Sequence, residues 1–381
     1  MQGEASPRLP ALFSDGRLRF NPGFKPIALV PFASFCALCD DEMIMGWLEQ
    51  KIRTYEHMRW AQEPNRRVLP FAWGIEHIGG SAGDLEPRAY LERFVENVLS
   101  YSDRWYASTP AQDYRLADGV LTFTSEIASP WPENNRVYGQ FFPARKAGPA
   151  VVVLAQWNAR WEEQQDICRW LNRLGITAMK ISLPYHDRRA IPGHPRGDHL
   201  VGPNIGLTLQ ANRQAVLDVR RALRWLERQG YNRLGILGTS IGSSVAFITA
   251  CHEPALRAGA FLHVSRYFGD VVANGLTTMN VWESLQTQVS HDELQRYWSP
   301  ISPYPYISKL HGSAKRILAI TGRYDPTFWP EFTAAFFQAI RSDGVQFESM
   351  SLPCGHYSLG VTPFKHAAGY RFGTFLSQSL A

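Results

Sequence analysis

Long apolar runs are missing from this sequence. The best candidate, residues 27–39, covers about 13 positions, well short of the roughly 20 a membrane-spanning helix needs. It follows Arg17, Arg19 and Lys25 and so has the composition of a secretory h-region. However, it begins late, contains Pro31 and runs into Asp40-Asp41-Glu42, so a cytoplasmic location is expected rather than export. Cysteine is also sparse: five residues, an odd number with one close pair, which excludes a disulfide framework. Cys36-Ala-Leu-Cys39 spells C-x-x-C, but a zinc site needs two further ligands and a redox motif should open a helix after a strand. Two ordinary thiols in an apolar segment are the expectation. Charge of one sign is not in large excess, with 39 basic against 34 acidic residues and a net +5. The basic residues are scattered rather than gathered into a stripe facing phosphates, so nucleic acid is not an expected partner. The mild excess leaves room for an anionic membrane surface or substrate. There is no internal repeat and no low-complexity tract.

What is present suits a folded α/β protein. Apolar residues make up 45% and charged residues 19% of the 381, enough for one large domain with additions or two ordinary ones. Residues 1–112 carry two helical patterns, 41–60 and 86–101, and read as a helical extension packed on the main domain. Its tryptophans are read as packing, with the lining of an acyl pocket as the alternative. From residue 113 the pattern changes. Segments 121–127 and 136–142 have strand character and a Pro-Asn connection, predicting an antiparallel pair. A short continuous apolar run follows at 150–155, and further strands are read at 177–183, 234–237, 258–264, 316–321 and 345–352. Helical patterns separate them at 161–174, 215–229, 243–250, 330–340 and 363–376. Such alternation predicts a mostly parallel sheet with helices on both faces. Residues 265–312 interrupt it with helix-like pieces at 278–288 and 291–298, and are expected to form a small helical cap over the carboxyl edge.

One segment carries the chemistry. Gly238-Thr-Ser240-Ile-Gly242 is G-x-S-x-G, placed between a buried strand and a helix. In such a turn the serine backbone is strained, and glycines two before and two after remove collisions between strand and helix. The residue set resembles the α/β-hydrolase superfamily over roughly residues 115–380. That resemblance implies the chain order serine, acid, histidine, with the acid after the strand that follows the interruption and the histidine after the last strand. Asp325 is the carboxylate in the first loop and His356 the histidine in the second. Ser240, Asp325 and His356 are therefore the expected catalytic triad. The oxyanion donors are expected at the N–H of Ile241 and in the loop after strand 150–155, at Trp157 or Asn158. Many superfamily members have His-Gly in that loop; this chain has Gln156-Trp157-Asn158.

Trp225-Leu-Glu-Arg-Gln-Gly-Tyr231, leading into the elbow, is similar to a little-characterised branch with W-L-E-x-x-G-Y, for which lipid acyl hydrolysis has been suggested. Leu183-Pro-Tyr-His-Asp187 fits the same branch, whereas Ser243 and Ser244 stand where such proteins often have glycine or histidine. His186, Asp187, His194, Asp198 and His199 form a ligand-rich loop, but with no helix-based ligand spacing and with interleaved Pro and Gly. Tyr185 and His186 are read as substrate contacts, ordinary loop polarity being the alternative, and no metal or cofactor is expected. The implied activity is a serine hydrolase cleaving a small-molecule or lipid carboxylic ester. A peptidase or thioesterase with the same triad, or a non-catalytic binding protein of the same fold, are the alternatives. Ser240 disfavours haloalkane dehalogenases and epoxide hydrolases, which need aspartate as nucleophile.

Overall fold

The alternation of buried strands and helices sets the order of elements along the chain. The computed structural model describes residues 42–64, 66–81, 86–145, 148–194 and 196–381. Cys36, Cys39 and the apolar stretch 27–39 lie outside the described residues. Two compact units are distinguished, Met1–Trp47 and Leu48–Ala381, and all contacts below lie within the second. Before the sheet come helices α1 (Glu42–Ala61), α2 (Pro87–Ser100) and α3 (Ser102–Trp105). The strands are β1 (Arg115–Ala117), β2 (Val120–Thr124), β3 (Arg136–Phe142), β4 (Ala150–Leu154), β5 (Thr177–Ile181), β6 (Leu234–Thr239), β7 (Leu256–Leu262), β8 (Arg316–Gly322) and β9 (Gln346–Leu352). Between and after them run α4 (Gln165–Arg173), α5 (Ile205–Arg228), α6 (Ile241–His252), α7 (Phe268–Asn274), α8 (Met279–Leu285), α9 (His291–Tyr297), α10 (Pro330–Ser342) and α11 (Phe364–Ser379).

The nine strands form one sheet in the order β1-β2-β3-β5-β4-β6-β7-β8-β9. The β1-β2, β2-β3 and β3-β5 pairs are antiparallel, and every pair from β5-β4 onward is parallel. Every residue of β4 and β5 is buried, as strands covered on both faces must be; β4 is apolar throughout, whereas β5 also buries Thr177 and Lys180. The order brings the carboxyl ends of β4, β6, β7, β8 and β9 to one rim. The 265–312 interruption leaves that rim between β7 and β8 as α7, α8 and α9 with three 3-10 turns. Leu276 N–H donates to Pro326 O at 2.9 Å, seating the insertion on the loop after β8. Among the described residues, no helix is long and apolar enough to cross a membrane.

Two helix boundaries differ from the sequence reading, each for a definite reason. The helix expected at 161–174 begins only at Gln165, because the buried Lys180 ammonium draws the carbonyls of Arg160 (3.1 Å), Trp161 (2.7 Å) and Glu163 (2.7 Å). These are acceptors a first helical turn would use, and a buried cation cannot forgo them. The helix expected from residue 215 begins ten residues earlier at Ile205. Asn204 caps it, its Oδ1 accepting the Leu207 N–H at 2.9 Å.

Candidate active site

The turn from β6 into α6 carries Ser240 with φ 57° and ψ −123°, a conformation that costs an L-residue about 1–3 kcal/mol and persists only where its surroundings enforce it. They do so sterically. A Cβ on Gly242 would sit 2.6 Å from the carbonyl oxygens of Leu154 and Ala155, and one on Gly238 would collide with the carbonyl of Gly242. Ser240 N–H donates to Leu262 O at 2.8 Å. Ser243, buried, places its hydroxyl 2.8 Å from Gly238 O and 2.7 Å from Leu262 O, tying β6 to β7 from beneath the turn.

The loops after β8 and β9 meet this turn. His356 Nε2 lies 3.2 Å from Ser240 Oγ, and His356 Nδ1 lies 3.2 Å from Asp325 Oδ2, both at the outer limit for a working proton-transfer pair. Asp325 Oδ1 accepts the N–H groups of Thr327 (2.8 Å) and Phe328 (2.9 Å), which fixes the carboxylate plane. Phe328 stacks on the His356 ring at 5.4 Å with an interplanar angle of 3°. Burial alone would raise the Asp325 pKa, but His356 and His263 outweigh it and hold the carboxyl well below its ordinary range. Burial pulls His356 down; Asp325, with smaller contributions from Glu56 and Glu63, more than offsets this, so its pKa is raised.

Two groups at the site escaped the sequence reading. His263, one residue past β7 with φ 58°, is buried, and its Nδ1 comes within 2.7 Å of Asp325 Oδ2. It faces the same oxygen as His356, the two rings being 4.6 Å apart. Burial lowers the His263 pKa more than Asp325 raises it. The approach of Nδ1 to Asp325 is a close contact without hydrogen-bond alignment, and Nε2 likewise has no hydrogen-bond partner among the described residues. A histidine at the carboxyl end of a strand bordering the elbow was the available signal. Glu56, on α1, is fully buried and bonds the backbone of the His356 loop; nothing in the sequence near residue 356 points to it.

The oxyanion candidates separate. Ile241 opens α6, where N–H groups lack intrahelical partners, and the Trp157 N–H makes no hydrogen bond among the described residues. The contact of Gly242 with the end of β4 sets the loop of Trp157 beside the elbow. Asn158 is a correction: its N–H donates to His186 Nε2 at 2.9 Å and its Oδ1 accepts the Gly197 N–H at 2.9 Å, so it is spent on holding the loop.

The reading of Tyr185 and His186 as substrate contacts is corrected by the same geometry. His186 is buried, with Nδ1 at 2.8 Å from Pro184 O and Nε2 on Asn158, and burial holds its pKa down at about 4. Tyr185 is buried against Trp131 and His199. The ligand-rich loop disperses: Asp187 accepts the Ser182 hydroxyl at 3.1 Å, Asp198 pairs with Arg196 at 3.2 Å, and His199 packs on Trp131. Among the described residues, the ligand-type side chains that converge are His263, Asp325 and His356, within 4.8 Å of one another.

Known proteins share this architecture. The profile of the peptidase S9, prolyl oligopeptidase family matches residues 194–362, a span containing Ser240, Asp325 and His356. Acetyl xylan esterase 1 from Thermoanaerobacterium sp. superposes with a TM-score of 0.53 at 14% identity, covering 74% of this chain and 93% of the other. A Pyrococcus furiosus esterase gives 0.50 at 16% identity, with 71% and 93% covered. The Pyrococcus horikoshii acylaminoacyl peptidase gives 0.51 at 12%, covering 71% of this chain and 42% of the peptidase, so the chain spans less than half of that protein. No curated protein matches the sequence. At these identities the structural likeness is one of fold: the chain has the α/β-hydrolase fold, and within it residues 194–362 resemble the peptidase S9 family.

Proposed function

We propose that the protein is a cofactor-independent serine hydrolase that cleaves a carboxylic ester, of a small molecule or a lipid, through an acyl-enzyme. The observation that carries this reading is the 3.2 Å approach of His356 Nε2 to a Ser240 Oγ presented on a strained turn. Ser240 attacks the carbonyl while His356 takes its proton and returns it to the leaving alkoxide; water then hydrolyses the acyl-enzyme by the same relay run again. Asp325 holds the His356 tautomer with Nδ1–H inward and stabilises the imidazolium, and His263 braces Asp325. The N–H groups of Ile241 and Trp157 receive the oxyanion. The esterases of similar fold support an ester substrate. The profile match favours one second reading, a peptidase using the same residues. We place the activity in the cytoplasm on the sparse cysteine usage, the three cysteines among the described residues being free thiols.

Ser240→Ala should lower turnover of a p-nitrophenyl ester by several orders of magnitude, toward the roughly million-fold loss seen when such a nucleophile is removed, and abolish labelling by a fluorophosphonate. An unchanged rate would remove Ser240 from the mechanism. A panel of short esters, thioesters and peptides ranks the substrate classes by kcat/KM.

A further inference from the structure

The loop that carries His356 is held from outside the sheet. Gly355 N–H donates to Ser358 Oγ at 2.7 Å. The next two N–H groups after His356, those of Tyr357 and Ser358, donate to Glu56 Oε2 at 2.8 Å and Oε1 at 2.9 Å, across 301 and 302 residues. Glu56 is completely buried. A carboxylate accepts at both oxygens, so it alone satisfies two adjacent backbone donors, whereas an amide would turn an NH2 toward one of them. The fit leaves no slack, since a Cβ on Gly355 would lie 2.5 Å from Glu56 Cδ. Beyond the end of α1, Glu63 Oε1 accepts the Tyr357 hydroxyl at 2.6 Å. The chain on the far side of His356 is thus gripped twice by the segment 56–63, while Asp325 and Phe328 grip the ring.

Building on the assignment of Ser240 and His356 as nucleophile and base, we propose that Glu56 is a positioning residue that holds the His356 loop in register with Ser240. On this reading the helix preceding the sheet is a working part of the site. Its contact is with the backbone of the base, so it acts through His356 and not on substrate. Because misplacing a reacting group by about 1 Å can cost 100-fold, the grip acts on kcat rather than on binding. It also has an electrostatic side. The charged and titratable groups facing His356 are Asp325 after β8, His263 after β7, Glu56 on α1 and Glu63 past its end, with Cys354 on the same loop. Arg66 and Arg196 lie behind Glu63, at 2.9 and 4.0 Å. His356 must be neutral to accept the Ser240 proton, so activity rises with pH through its pKa. Removing a nearby negative charge destabilises the imidazolium and moves that rise to lower pH.

The test compares Glu56→Gln, Glu56→Asp, Tyr357→Phe and Ser240→Ala in the full-length chain on a p-nitrophenyl ester, each checked for folding by circular dichroism. Glu56→Gln is expected to lose about 10- to 100-fold in kcat with KM within about twofold, and to show the acid limb of kcat/KM at lower pH than wild type. Glu56→Asp keeps the charge and is expected to keep the limb in place while recovering part of kcat. Tyr357→Phe, which gives up one of the three hydrogen bonds from the segment 56–63, is expected to lose less than Glu56→Gln. A folded Glu56→Gln with wild-type kcat and limb overturns the proposal. Should that variant not fold, wild-type kcat in Glu56→Asp overturns it, and a lowered kcat with the limb in place supports it. A Ser240→Ala protein as active as wild type sinks the serine-hydrolase reading instead, so the two failures are distinguishable.

Discussion

The turn that presents Ser240 and the loop that presents His356 reach the same rim by opposite means. The serine turn is shaped by backbone sterics within a few residues, two absent Cβ atoms opposite carbonyls of the turn itself and of the neighbouring strand. The histidine loop is held by side chains from elsewhere: Asp325 after β8, and Glu56 and Glu63 from the far end of the chain. A local steric rule leaves a written motif. Long-range acceptors leave none, because any residue that buries a carboxylate at the right place would serve.

The difference has measurable consequences. Asp325→Asn leaves the shape of the relay but offers His356 the wrong tautomer, and kcat should fall about 10⁴-fold with little change in KM, as steady-state kinetics would reveal. A loss under tenfold would mean that His263 or Glu56, and not Asp325, orients the base. Gly242→Ala drives a methyl toward two carbonyl oxygens. It should destabilise the fold by about 1–3 kcal/mol, as overpacking does, and lower kcat by at least about 100-fold through a displaced elbow. Wild-type melting and turnover would show the turn to be less locally determined than argued. His263→Leu leaves Asp325 Oδ2 to His356 alone, so the imidazolium is better stabilised. The acid limb of kcat/KM, expected above the ordinary histidine value near 6.5 because Asp325 raises the His356 pKa, should move further up, with kcat falling less than about tenfold. A limb that stays put would show that the two rings do not compete for one carboxylate oxygen.

Much of the architecture was legible because strands buried on both faces must be apolar throughout, and because helix and strand periods differ. Ser240, Asp325 and His356 were singled out by motif and chain order, and the structure brings the three side chains together, each after the strand immediately before it. Tyr185 and His186 were misread because a polar residue at a strand end looks the same whether it faces a substrate or a buried carbonyl. Asn158 was misread for the same reason, since only the placement of His186 decides where its N–H goes. Lys180 was missed as a helix breaker because its three acceptors lie 17 to 20 residues upstream of it.

By itself the chain's own order of residues determined the alternating elements, the strained serine turn and which acid and histidine could meet it, since all of these follow from local sterics, burial and the direction of successive strands. Only the folded molecule decided that a second histidine would approach Asp325 and that a carboxylate 301 residues away would hold the loop of His356. Those contacts come from the packing of segments whose separation in sequence carries no information about their distance in space.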